Sequence, residues 1–161
     1  MLFPTAICCL ILVMRFSETL DLAKMLTLTK LGVAEHQLER ALRLFLDEKD
    51  YVCAITLAGA SEEILGKLLE KNGKEHALGS FTKACVATGK VVYNENWSQK
   101  TFAEMANAFR NDLKHYNDGN PITIPREAAV EILDRAIENF WALTSRETPN
   151  MRRFMEEVHG T

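Results

Sequence analysis

The chain has 161 residues, 47% of them hydrophobic and 25% charged, a balance that excludes wholesale disorder and allows one domain with a buried core. Gly (8) and Pro (4) are scarce, which argues against a turn-rich all-β fold. The formal charge of −3 leaves no global basic field, so any contact with nucleic acid must be local.

Residues 6–14 form an unbroken apolar run, about half the length that crosses a bilayer. Nothing basic precedes it and Arg15 follows it, which is the wrong arrangement for a secretory signal. Three readings stand: an upstream start that adds a non-native arm, with Met14 or Met25 as the true beginning; an extra helix packed on the core or on a second copy; or, least favoured, a membrane or export signal. Residues 1–20 are therefore set apart as an apolar arm. Residues 21–148 are read as one helical domain and residues 149–161 as a tail or short last helix.

Apolar spacing predicts five helices. The first covers 27–47, with Leu31, Ala34, Leu38, Leu42 and Phe45 on one stripe. The second covers 51–72, with Ala54, Leu57, Ala58, Ile64, Leu65 and Leu68 inward and Gly73 as a stop signal. Gly59 and Gly66 inside it cost helix propensity, and close approach of a neighbouring helix is the expected reason. The third, 74–92, carries Leu78, Phe81, Cys85 and Val92 but is interrupted by Gly79 and Gly89.

The fourth is expected from Ser98, a plausible N-cap, to Tyr116, with Phe102, Met105, Ala106, Phe109 and Leu113 on its stripe. Asn117-Asp118-Gly119-Asn120-Pro121 breaks the chain. The fifth starts near Pro125, runs to about Thr144 and is closed by Pro149. No persuasive strand alternation appears. The fold class is all-α, an up-and-down bundle of four to five helices.

Cys8, Cys9, Cys53 and Cys85 form no Cys-x-x-Cys pair, and the four histidines are scattered, so neither a disulfide framework nor a metal site is expected. A reducing, cytoplasmic setting follows more simply.

The fourth helix ends Phe109-Arg110-Asn111-Asp112-Leu113-Lys114-His115-Tyr116. Arg110, polar Asn111 directly after it, and His115 five places on resemble the Arg-x(4–6)-His signature of the HEPN superfamily (higher eukaryotes and prokaryotes nucleotide-binding). The late position in a bundle helix and the second-helix segment Ala58-Gly59-Ala60-Ser61-Glu62-Glu63-Ile64-Leu65 add to the resemblance, which covers roughly residues 27–143. Arg153 and His159 fit the looser spacing too, but Phe154 follows that arginine and the pair lies beyond Pro149.

The resemblance implies a metal-independent endoribonuclease without a cofactor, in many such domains the toxin of a toxin–antitoxin pair held by a separate antitoxin protein. RNA brings its own nucleophile, the 2′-OH, so the protein need only move protons and stabilise charge. His115 suits proton transfer near neutral pH. Arg110 suits the phosphate and the charge growing on it, Lys114 adds phosphate binding, and Asn111 orients His115 or the phosphate from the same helix face. In some HEPN toxins a tyrosine follows two places after the histidine; here that place is Asn117. The alternative implied by the family is a non-catalytic module that binds nucleotide, RNA or a protein partner through the same cleft.

Helix geometry adds a constraint. Residues five apart diverge by about 140° around a straight helix. Either the helix distorts near Asp112, or two copies meet across a two-fold axis and pool their motifs. A homodimer with the end of the fourth helix lining the cleft is expected. The competing structural reading is plain: Arg110, Lys114 and His115 complement a helix C-terminus, Glu62 and Glu63 form a solvated helix face, and Ser61 bonds back to the chain.

Overall fold

The computed structural model describes residues 26–115 and 119–161. The apolar run at 6–14 and Tyr116 lie outside the described residues. The all-α expectation holds: the described residues form α1 (Lys30–Arg43), a π-helical turn (Leu44–Glu48), α2 (Tyr51–Lys71), α3 (Ala77–Val92), α4 (Gln99–Ala106), α5 (Ala108–Lys114), α6 (Arg126–Thr144) and α7 (Pro149–His159), with no strand among them.

Four helices start where a side chain satisfies an amide that the helix leaves unpaired, whereas Ser98, the expected N-cap of the fourth predicted helix, makes no such bond. Thr29 Oγ1 accepts from Gly32 N at 3.0 Å to open α1, and Asp50 Oδ1 accepts from Cys53 N at 3.0 Å to open α2. That bond holds the Asp50 carboxyl below its ordinary range. His76 opens α3 with Nδ1 accepting from Gly79 N at 3.2 Å, which leaves Nε2 as the donor facing Glu70 Oε1 at 3.3 Å. Thr148 Oγ1 accepts from Met151 N at 3.2 Å to open α7.

α2 is the central element, packed most extensively on α6 and α1. Its Ala54, Ile55, Ala58, Leu65 and Leu69 meet Leu38 and Leu42 of α1 and Ile132, Leu133, Ala136 and Phe140 of α6 in the core. Burying a side chain of the Leu, Ile or Phe class contributes about 1.5–3 kcal/mol. Most of the inward residues expected on α1 and α2 are here. Ser61 is buried too, but its hydroxyl donates to Ala34 O on α1 at 2.8 Å, so it ties two helices together instead of bonding within its own.

The end of α1 departs from regular helix. Leu44, Phe45 and Leu46 are all buried, three neighbours that on a regular α-helix would spread over about 200° of its surface. The π-helical turn accommodates them, and Lys49 closes it at φ 55. Phe45 thereby reaches Tyr51 and Phe154, with ring centroids at 5.5 and 5.3 Å, and Arg126 sits over its ring.

Two expectations need correction, and a third is decided. The fourth helix is two: the chain breaks at Asn107, between α4 and α5, ahead of the site where the motif begins. Pro149 does not merely end the fifth helix. Ser145, at φ 52, ends α6, and Pro149 occupies the first turn of α7. The C-terminal segment is a full helix whose Met151 and Phe154 complete the core. Glu39 clamps its start, accepting from the Thr148 hydroxyl and from Asn150 Nδ2.

α3 continues through both glycines that seemed to interrupt it. Gly89 is required because a Cβ there would lie 2.5 Å from the Trp97 ring, which folds back over the helix and stacks on Tyr93. α3 packs chiefly on α4, leaving Phe81, Val91, Val92 and Tyr93 exposed.

Because Phe154 is fully buried on α7, Phe154→Ala is expected to lower stability by about 3–5 kcal/mol, read as a shifted urea midpoint. A loss under about 1 kcal/mol, the scale of a surface change, would show that α7 is an ornament and not a core element.

Candidate functional site

The functional residues expected from sequence lie on α5 and just beyond it, against the middle of α2. The break at Asn107 sets the direction of α5. Arg135 of α6 donates through NH2 to Ala106 O at 3.2 Å and lies 3.5 Å from Asn107 Oδ1, so its guanidinium covers the carbonyl end of α4. The same guanidinium donates from Nε to Glu62 Oε1 at 2.8 Å. Both side chains of that pair are buried. One buried ion pair thus joins α2, α6 and the hinge between α4 and α5.

Glu62 is therefore not part of a solvated face, as its sequence neighbourhood led one to expect. Glu63 is: it is exposed and accepts from Lys67 Nζ at 2.6 Å, a bond that holds its carboxyl below the ordinary range, with smaller pulls from Arg110 and Lys114.

Arg110 points from α5 onto α2. Its stem crosses Gly59, where a Cβ would stand 2.5 Å from Arg110 Cδ and 3.1 Å from Ile132 Cδ1. The excuse for Gly59 is thus a crossing side chain, not a helix backbone. No such crossing accounts for Gly66, where a Cβ would meet the His76 side chain at an ordinary contact distance of 3.7 Å. Arg110 NH1 lies 3.7 Å from Glu62 Oε2, a loose second pairing for a carboxylate that Arg135 already neutralises. Arg110 Nε is buried and finds no hydrogen-bond partner among the described residues.

The charge balance follows directly. Two guanidiniums share one carboxylate, so the cluster carries one surplus positive charge with an unsatisfied N–H beside it. Arg110 is the member that reaches outward, its side chain 21% exposed. It lines a cavity of about 330 Å³ with Thr56, Gly59, Glu63, Lys67 and Lys114.

His115 does not share that cavity. α5 ends at Lys114, and His115 turns into extended backbone, φ −124 and ψ 136, with its amide still donating to Asn111 O at 3.0 Å. It is exposed and lines a second cavity of about 600 Å³ with Phe109, Asp112, Gly119 and Pro121. Leu113 and Lys114 line both cavities and form the wall between them. Asn111 is exposed on α5 and borders neither cavity. The motif is thus brought to one surface region, with its cation and its imidazole on opposite sides of a shared wall.

The look-alike pair is spoken for. Arg153 bonds Asp47 and Glu157, each at 2.6 Å, which raises its basicity further, and His159 Nε2 meets Asp134 Oδ1 at 2.8 Å. These contacts fasten α7. Sequence reasoning missed Arg135 entirely; its only signal was a charged residue on the apolar stripe between Ile132 and Ala136.

Among the described residues no group of three or more His, Cys, Asp or Glu side chains could hold a metal ion, and no helix is long and apolar enough to cross a membrane. No family model, curated protein or solved structure matches the chain.

Glu62 and Arg110 differ in what their removal costs. Glu62→Ala strands the Arg135 charge in the interior and is expected to cost about 3–5 kcal/mol. Arg110→Ala removes a loose, partly solvated pairing and is expected to cost about 1 kcal/mol. Urea unfolding of the two variants checks the difference; equal losses would mean that Arg110 is as firmly structural as Glu62.

Proposed function

We propose that the chain is a metal-independent endoribonuclease of the HEPN type, working as a homodimer, with Arg110 and His115 as its catalytic residues. The observation that carries this reading is the surplus positive charge at Arg110: a guanidinium held only loosely by Glu62, opening on a cavity that Lys114 also lines, suits a phosphodiester anion, while Lys67 in the same wall is tied to Glu63. A residue serving only as a helix-end cation needs no such cavity.

In the proposed reaction the 2′-OH loses its proton and its oxygen attacks the adjacent phosphorus. The bond from phosphorus to the 5′ oxygen breaks, and that oxygen takes up a proton. The products are a 2′,3′-cyclic phosphate end and a 5′-hydroxyl end. His115 serves one of the two proton transfers, being exposed and free of the helix. Arg110 balances charge on the phosphoryl oxygens, and Lys114 on the shared wall holds the neighbouring backbone. Asn111 orients the loop that carries His115 through its carbonyl. Because the cation and the imidazole of one chain border different cavities, the reading pairs Arg110 of one protomer with the imidazole of its partner across a two-fold axis. A separate antitoxin protein masking this surface fits the same scheme.

A second reading rests on the engagement of Arg110 with Glu62. An arginine already drawn toward a carboxylate can anchor a phosphate without promoting its chemistry, and the chain is then a module that binds nucleotide, RNA or a protein partner.

Incubating the purified protein with unstructured and structured RNA in EDTA separates the two. Cleavage to cyclic-phosphate ends by the native chain, with His115→Ala and Arg110→Ala each about 10²–10⁴-fold slower, supports the nuclease. Binding without cleavage supports the module. Mixing the two inactive variants tests the shared site: a composite dimer regains roughly a quarter of native activity through its mixed pairs, whereas a site within one chain regains none.

A further inference from the structure

A third cavity, a groove of about 600 Å³, runs between α3, α4 and α6 and shares Phe109 with the cavity that holds His115. Its two walls differ in kind. One is apolar: Phe81 of α3, Met105 of α4 and Phe109 of α5 line it, with Phe81 and Met105 exposed. The other is a row of carboxylates on α6, Glu131, Asp134 and Glu138. Their spacing, three then four residues, places them along one helix face. Trp141, three residues further and 60% exposed, continues that face.

Among the described residues the row is only partly neutralised. Arg135, the cation in the same wall, is consumed by Glu62. Asp134 meets His159 through Oδ1, while Glu131 and Glu138 are exposed and make no ion pair with a described residue. An apolar floor beside the exposed carboxylates of Glu131 and Glu138 selects an occupant with the inverse pattern.

We infer that this groove is a docking site for a basic amphipathic helix of a separate protein. Helix ridges fit the space between packed helices, apolar anchors at three- and four-residue spacing seat against Phe81 and Met105, and Lys or Arg one face over meets the α6 row. The inference is independent of the nuclease reading, since neither Arg110 nor His115 borders the groove.

The test uses the full chain and a fluorescently labelled synthetic helix with leucines on one face and lysines on the flank, alongside the same peptide with glutamates in place of lysines. The expected result is that the lysine peptide binds, that its affinity falls with added salt, and that Glu131→Lys/Glu138→Lys weakens it about tenfold or more. Glu131→Gln/Glu138→Gln should fall between, and unchanged melting of both variants shows that the fold is kept. Equal binding of the glutamate peptide overturns the proposal, since the groove is then merely adhesive. Unchanged affinity in the charge-reversed variant also overturns it. So does a dimer, seen by light scattering and abolished by Met105→Asp, in a protein that ignores the lysine peptide: the occupant is then a second copy.

Discussion

The contact between Glu62 and Arg135 governs where everything else sits. Taking two charges out of water costs several kcal/mol per ion, and the cost is recovered only where the remaining polar atoms are also satisfied. Here Arg135 meets that condition by covering the carbonyl end of α4 as well as Glu62. The consequence is directional. The hinge at Asn107 must lie against that guanidinium, so α5 leaves it at a fixed angle and carries Arg110 across α2. A hydrophobic pair of equal volume could hold α2 against α6, but it would not fix the hinge.

The same arrangement explains why Arg110 is available. Glu62 has only one full charge to share, and Arg135 holds the shorter contact, 2.8 Å against 3.7 Å. An arginine paired alone with a buried carboxylate would be locked. One paired in second place is oriented but not satisfied, the condition under which an incoming anion gains most. In the proposed reading, positioning and reactivity both come from this one imbalance, which Lys114 extends outward while Lys67 is held by Glu63.

Much of the fold was legible from apolar spacing. α1, α2 and α6 show the period expected of buried helices, and their inward residues are largely those of the core. The hinge at Asn107 was not legible, because Met105, Phe109 and Leu113 keep a helical period across it; the break is imposed by Arg135, a residue from another helix. The motif on α5 could be read as a spacing, but its environment could not. Whether Glu62 faces water or the core depends on the partner that α6 supplies, and nothing local to the pair of glutamates distinguishes them. The last helix was half visible: Thr148 and Pro149 are ordinary start signals, yet only Phe45 tells why a helix is needed there.

The crossing of Arg110 over Gly59 has a consequence beyond this chain. A side chain at position 59 and the stem of Arg110 would occupy the same space, so a larger residue at 59 requires the arginine to shift or shorten. Related chains that keep the architecture should covary at these two places, a bulkier residue on the central helix accompanying a shorter one on the motif. Such a paired drift would mark, in sequence alone, the branches in which this surface has been given up for another use.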